Sequence, residues 1–209
     1  MIRVFVGTSN KGKQYEIRNF ARLFSANIKL VFPDPKIQIT IDETGSSYAE
    51  NALLKAKAYT RLVDSKSTIF VGDDSGLRIP ALNNLPGVKS RRWAGYEMND
   101  KQILDYCLQK MTGLQGEDRK AVFETVLVAL KNGGSYATYT GELWGYILEK
   151  PNKSVPLDGF PFRETFWIDE LQKTWGEAVK NDLEARHGFL TNREKAFKKM
   201  FEDLSAIDQ

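Results

Sequence analysis

Apolar residues fall along this chain in two rhythms. Short runs rich in β-branched residues, Ile2 to Val6 and Thr68 to Val71, predict buried strands. Apolar residues three and four apart, Ile17, Phe20, Ala21 and Phe24, predict a helix, joined to the first strand by the polar turn Thr8-Ser9-Asn10-Lys11-Gly12-Lys13. Ile28 to Phe32 and Lys36 to Ile41 read as two extended segments on either side of Pro33-Asp34-Pro35. The acidic turn Asp42-Glu43-Thr44-Gly45 then leads into a helix capped by Ser46 or Ser47, with Glu50 three residues after Ser47 as in a capping box. Ala49, Ala52, Leu53, Ala56 and Val63 form the buried stripe of that helix. Asn51 and Lys55, four apart, lie on another face, so Lys55 is expected to point away from the core.

A further helix is predicted from about Asp100 to Met111, and Val122 to Leu130 with Tyr136 to Leu148, split by Asn132-Gly133-Gly134, predict a long hairpin. A loop holding Pro151, Pro156, Gly159 and Pro161 precedes a final amphipathic stripe of Ala196, Phe197, Met200, Phe201 and Leu204. Strands joined through helices early and paired through a turn late predict an α/β fold. Its expected form is an elongated mixed β-sheet flanked by helices, with two lobes around a central cleft. A length of 209 residues at 42% hydrophobic content fits a single domain over 1–209 built from two such lobes.

The stretch Gly72-Asp73-Asp74-Ser75-Gly76 stands out because two acids follow an apolar run directly. The strand is expected to end there, with Gly72 and Gly76 turning the backbone around the pair, at the sheet end where α/β proteins build sites. Side chains alternate along extended backbone, so Asp73 and Asp74 are expected to play different parts. Taken alone, Asp-Asp-Ser-Gly is also the composition of an ordinary polar turn.

Charge and cysteine narrow the chemistry. A net charge of +3 with scattered Lys and Arg gives no nucleic-acid-binding stripe, and no apolar run is long enough for a membrane span. Cys107 is the only cysteine and His187 the only histidine. An internal disulfide, a thiolate cluster and a His-rich metal site are thereby excluded, and a cytoplasmic setting is expected. The segment Thr8 to Lys13 lacks the spacing of a standard P-loop.

Three separated elements carry candidate ligands: Asn10 and Lys13 at a helix start, Glu43 and Lys55 around the second helix, and Asp73, Asp74 and Ser75 after a strand. Together they imply phosphate chemistry. Helix N-terminal amides favour anions, Gly12 lets a phosphate approach, and lysines add charge. Mg²⁺ takes carboxylate and phosphate oxygens, and Glu43, Asp73 and Asp74 are a suitable half-shell for it.

The conjunction and order of these motifs resemble the inosine triphosphate pyrophosphatase family. The matching residues are Asn10-x-x-Lys13-x-x-Glu16, Glu43-x-Gly45 with Glu50-Asn51-Ala52-x-x-Lys55-Ala56, and Asp73-Asp74-Ser75-Gly76-Leu77 with Pro86-Gly87 and Ser90-x-Arg92. Phe123-x-Thr125 and Gly141-Glu142-Leu143-Trp144-Gly145 extend the resemblance over nearly the whole chain. It implies Mg²⁺-dependent hydrolysis of inosine or xanthosine triphosphates to monophosphate and pyrophosphate in the cleft of a homodimer. It further implies that Asp74 is the general base and a metal ligand, and that Lys13 and Lys55 serve catalysis. Glu43 and Asp73 would be acids at the metal. Thr8, Ser9, Asn10, Lys11, Gly12, Lys13, Lys55 and Ser75 would hold the triphosphate.

The base-recognition half departs from the family pattern. Phe160 keeps the stacking position, but Pro161 stands for a Gly and Arg163 for an Asp. Thr191-Asn192-Arg193 stands for Ser-His-Arg, keeping an arginine expected at the base edge. His187 falls where the family has a lysine, with Arg186 beside it. An acceptor exchanged for a donor at Arg163 implies a changed base preference, unless Glu164 or Asp158 supplies the acid. Two readings therefore stand beside inosine or xanthosine triphosphate hydrolysis: a pyrophosphatase of altered base specificity, and a nucleotide-binding regulatory protein with weak or no catalysis.

Overall fold

The structure is a computed structural model that describes residues 1–24, 27–36, 39–61, 63, 67–131, 134–152, 159–179 and 186–207. Two strands of the amino-terminal part, β1 (Ile2–Val6) and β2 (Ile28–Val31), pair in parallel around helix α1 (Lys11–Phe24). Helix α2 (Tyr48–Thr60) leads to the long strand β3 (Thr68–Ile79), also parallel to β1, with Arg3 to Val6 opposite Thr68 to Val71. A short strand β4 (Leu85–Pro86) pairs antiparallel with β3, and α3 (Asp100–Lys110) follows. The chain continues through β5 (Lys120–Leu130), β6 (Tyr136–Ile147), β7 (Phe166–Ile168), β8 (Lys173–Thr174), α4 (Trp175–Ala178) and α5 (Asn192–Ile207). The strand order β2-β1-β3-β5-β6-β7-β8, with β4 on β3, makes a mixed open sheet, as the sequence pattern predicts.

Two compact units partition the chain: residues 1–75, 125–141 and 191–209, and residues 76–124 and 142–190. In the first, Val4, Phe5 and Val6 are buried on both faces of β1, the pattern of a covered parallel strand. Phe20 of α1 stacks on Phe24 and on Phe201 of α5, at centroid distances of 4.5 and 6.3 Å. The predicted stripe of α5, from Ala196 to Leu204, is wholly buried. Each such large apolar side chain contributes about 1.5–3 kcal/mol relative to exposure. The second unit has its own core, where Phe123 of β5 meets Phe166 of β7 and Trp175 of α4 at 4.9 and 4.6 Å. Beside that core the buried Arg119 donates to the carbonyls of Met111, Leu114, Ile147 and Leu148, satisfying acceptors where α3 and β6 end.

Several expectations change. β3 does not stop at the acids; it runs on through Asp73 and Asp74 to Ile79. Gly72 is there for packing, not for turning, because a Cβ on it would lie 1.8 Å from the carbonyl oxygen of Ala52 in α2. No strand forms among the described residues of 36–41, since that segment has no neighbour to pair with in the sheet. In α2 the buried residues are Tyr48, Asn51, Ala52, Ala56 and Tyr59, whereas Ala49 and Leu53 are half-buried. The Asn51 and Lys55 face is turned inward, because buried acids on β3 attract it. Ser47 caps α2, but Glu50 reaches back one residue further than a capping box requires, accepting from the amide and hydroxyl of Ser46. The turn residues Asn132 and Gly133 and the candidate acid Asp158 lie outside the described residues. None of the described helices is long and apolar enough to cross a membrane.

Candidate active site

The site begins where β1 stops pairing. The register between β1 and β3 ends at Val6 opposite Val71, and the Gly7 amide donates to the Val71 carbonyl before the chain turns into α1. β3 continues alone, and its next side chains alternate between the two faces of the sheet. Asp73 meets α1 and α5: its Oδ1 accepts from Lys13 Nζ at 2.9 Å and its Oδ2 from Arg193 Nε at 2.7 Å. Asp74 meets α2: its Oδ1 accepts from Lys55 Nζ at 2.7 Å and its Oδ2 from Asn51 Nδ2 at 3.3 Å. The two adjacent acids thus hold different partners from different helices.

Around Asp73 the charges form a buried network. Arg193 also donates to Glu16 Oε2 at 2.9 Å and to Ser75 Oγ at 3.0 Å. Around Asp74, Lys55 bridges to Glu43 Oε2 at 3.0 Å. The loop bearing Glu43 is tied to α2 by Gly45, whose amide donates to Asn51 Oδ1 at 2.8 Å. A Cβ on Gly45 would sit 2.6 Å from that same oxygen, so the loop lies against the helix only because the residue is glycine.

These surroundings push the two carboxyls apart. Burial alone would raise Asp73, but the Arg193 and Lys13 cations outweigh it and hold the group far below the ordinary carboxylate range. Burial also raises Asp74, and there Lys55 does not fully counter it, so the group stays above its ordinary value. Lys13 is lowered, chiefly by burial with Arg193 and Lys55 nearby, against the pull of Asp73. Lys55 is raised, because Asp74 and Glu43 overcome its burial. Burial pushes the Cys107 thiol up to about 12, which removes it as a nucleophile.

The predicted site residues separate into groups. Lys13, Glu43, Lys55, Asp73, Asp74, Ser75 and Arg193 come together in the first unit. Asn10 caps α1, accepting from the Lys13 amide at 3.0 Å, and Thr8 is buried beneath it with its hydroxyl accepting from the Asn10 amide. Ser9 and Lys11 are exposed and Gly12 is half-buried along the same turn. Arg193, expected at a base edge, instead donates to Asp73, Glu16 and Ser75. Asn192 turns to Thr125, donating to its hydroxyl at 2.7 Å. Phe160, Arg163 and His187 belong to the second unit. There the Arg163 guanidinium lies 3.6 Å above the Phe160 ring and 5.1 Å from that of Trp175, and His187 is exposed. Glu164 is half-buried.

Asn51 and Glu16 are the residues that sequence reasoning missed as parts of the site. The signal was present as helical spacing: Asn51 stands four before Lys55, and Glu16 three after Lys13, each on its lysine's face.

Among the described residues no three His, Cys, Asp or Glu side chains gather as a metal site. Asp73 does not fit a metal, because both its oxygens already accept from cations. Asp74 and Glu43 do fit: they present hard oxygens to one point, which the Lys55 ammonium occupies. Mg²⁺ is commonly held by one or two carboxylates together with substrate phosphates, and this pair suffices for that.

A model described as the Ham1 family matches residues 4–203. A Clostridium perfringens protein named dITP/XTP pyrophosphatase is 30% identical, with 99% of each chain covered. A Geobacillus kaustophilus protein of the same name is 34% identical, covering 99% of this chain and 96% of its own. Among solved structures, a HAM1 protein from Coxiella burnetii superposes with a TM-score of 0.76 at 26% identity, over 99% of this chain and 100% of that one. The Staphylococcus aureus Ham1 protein shares the fold, with a TM-score of 0.77 at 24% identity over 98% of both chains.

Proposed function

The chain belongs to the Ham1 family, and from that premise we propose that it is a nucleoside triphosphate pyrophosphohydrolase, converting a triphosphate and water to the monophosphate and pyrophosphate. The relatives' name, dITP/XTP pyrophosphatase, supports deoxyinosine and xanthosine triphosphates as substrates and a house-cleaning role. The observation that carries the reading is the opposite setting of two neighbouring acids. Asp73 is locked in its charged form by Lys13 and Arg193, while Asp74 is raised toward the range of a base that can exchange a proton.

In the reaction a water oxygen attacks the α-phosphorus as Asp74 takes the water's proton. The bond from that phosphorus to the bridging oxygen breaks, and the oxygen leaves with the pyrophosphate. Lys55, beside Asp74, and Lys13 at the start of α1 donate to phosphate oxygens as charge builds on them. The amides of the Thr8 to Lys13 turn and Ser75 orient the chain of phosphates. Asp74 and Glu43 would hold Mg²⁺, which when bound supplies further positive charge to the phosphate oxygens. Asp73 keeps Lys13 and Arg193 in place and takes no part in holding the metal.

One observation favours altered base specificity as a second reading. The half-buried Phe160 ring has one face covered by Arg163, so a purine has only the other face to stack on. A donor at Arg163 selects for acceptors on a base edge. Homodimerisation and a cytoplasmic location complete the proposal.

The test is pyrophosphate release from inosine, deoxyinosine, xanthosine and the common nucleoside triphosphates, with Mg²⁺ and with chelator. We expect Mg²⁺-dependent release, and a fall of about 10²–10⁴-fold in kcat for Asp74→Asn, the size of a lost general base. The acid limb of the wild-type pH profile should lie above the ordinary carboxylate value, because the ionised Asp74 is the active form. Binding of nucleotide without release would favour the regulatory reading instead.

A further inference from the structure

The Lys55 ammonium lies 2.7 Å from Asp74 Oδ1 and 3.0 Å from Glu43 Oε2, the two oxygens that a divalent ion would take. The other Asp74 oxygen faces the Asn51 amide, and both oxygens of Asp73 are held by Lys13 and Arg193. The site therefore carries its own cation at the metal position. Four carboxylates, Glu16, Glu43, Asp73 and Asp74, meet three fixed cations, Lys13, Lys55 and Arg193, which leaves little negative charge to attract a free divalent ion.

We propose that Lys55 excludes free metal from the site, so that the species recognised is the metal–triphosphate complex and not nucleotide or metal alone. The proposal rests on the pyrophosphohydrolase reading and names the form of its substrate. A free triphosphate would bring its negative charge against Asp74 and Glu43. A free metal ion would have to displace Lys55 from two carboxylates and leave a largely buried ammonium without a counter-charge, which is strongly unfavourable. The complex makes both exchanges at once. Its metal takes the oxygens of Asp74 and Glu43, its phosphates take Lys55, and every charge stays paired. Metal and nucleotide then raise each other's affinity by the same factor, as linkage requires.

Binding of Mn²⁺ to the nucleotide-free protein, followed by loss of the free ion's electron paramagnetic resonance signal, tests this without turnover. Replacing the lysine by a neutral chain, Lys55→Met or Lys55→Gln, should tighten Mn²⁺ binding at least tenfold, whereas Lys55→Arg should leave it near wild type. Adding a triphosphate with a methylene in the α–β bridge should tighten Mn²⁺ binding to the wild type and have much less effect on the neutral variants. Two neutral variants guard against a folding failure in one, checked by circular dichroism. Unchanged or weaker Mn²⁺ binding in a folded neutral variant overturns the proposal, as does Mn²⁺ binding to the wild type that is equally tight with and without nucleotide. Because no step requires hydrolysis, these outcomes are separate from those of the pyrophosphate assay.

Discussion

Asp73 and Asp74 are neighbours in sequence and opposites in chemistry, and the difference comes from which helix each one faces. Asp73 is ionised throughout the accessible pH range of the folded protein because Arg193 and Lys13 outweigh its burial. In the unfolded chain it titrates near the ordinary value of about 4. A depressed folded value means that the pairing adds stability above that pH, and that the stability is lost as pH falls below it. Asp73→Asn should therefore lower Tm markedly at pH 7, with the gap to wild type narrowing as pH drops from about 5 towards 2. Thermal melts across that range check the expectation, and a gap that stays constant with pH would remove the electrostatic role. Asp74 works in the opposite direction. Its raised value makes the ionised form a cost to folding at neutral pH, of the kind that active sites commonly bear.

At the scale of elements, the contact of α2 with β3 sets the position of everything that reaches Asp74. Gly72 lets the helix backbone lie directly on the strand, so Asn51 and Lys55 arrive at the height of the acid. Gly72→Ala should cost about 1–3 kcal/mol as overpacking forces the helix away. Because the obstacle is the Ala52 carbonyl and not a flexible side chain, kcat should fall as well. Urea unfolding and pyrophosphate release on the same preparation measure both. Much of this level was legible in the sequence: the 3.6-residue stripes of α1 and α5, the parallel strands, the hairpin strands and the serine cap all follow from local pattern. The end of β3 was not, because Asp-Asp-Ser-Gly has turn composition. What keeps the segment extended is countercharge from Lys13 and Arg193, 60 and 120 residues away in sequence. The inward turn of Asn51 and Lys55 was hidden for the same reason. A polar pair on a helix reads as solvated until the acid opposite it is known. The site's composition was readable, then, and its wiring was not.

For the molecule as a whole, the site of the first unit depends on three stretches of chain. Strand β3 and helices α1 and α2 come from residues 1–75, Thr125 from the second stretch, and Arg193 from the last helix. Both partners in the Arg193 pair with Asp73 are almost fully buried, so removing one leaves a charge stranded. Arg193→Met should destabilise the fold by about 3–5 kcal/mol. Activity should fall beyond what the lost folded fraction explains, and measuring Tm and the activity of the folded fraction side by side checks it. A variant that folds and turns over normally would mean that Lys13 alone can hold Asp73.

The same pair has a consequence for how the protein is made. Chains leave the ribosome from the amino terminus, and early segments begin to fold while later ones are still being added. Asp73 emerges and meets Lys13 long before α5 exists, so for most of synthesis the acid waits with half its countercharge. The site is completed only when the closing helix delivers Arg193. A nascent chain interrupted ahead of that helix carries nearly all the phosphate-binding residues yet lacks the cation that sets them, and so it is born unable to act on the nucleotide pool around it.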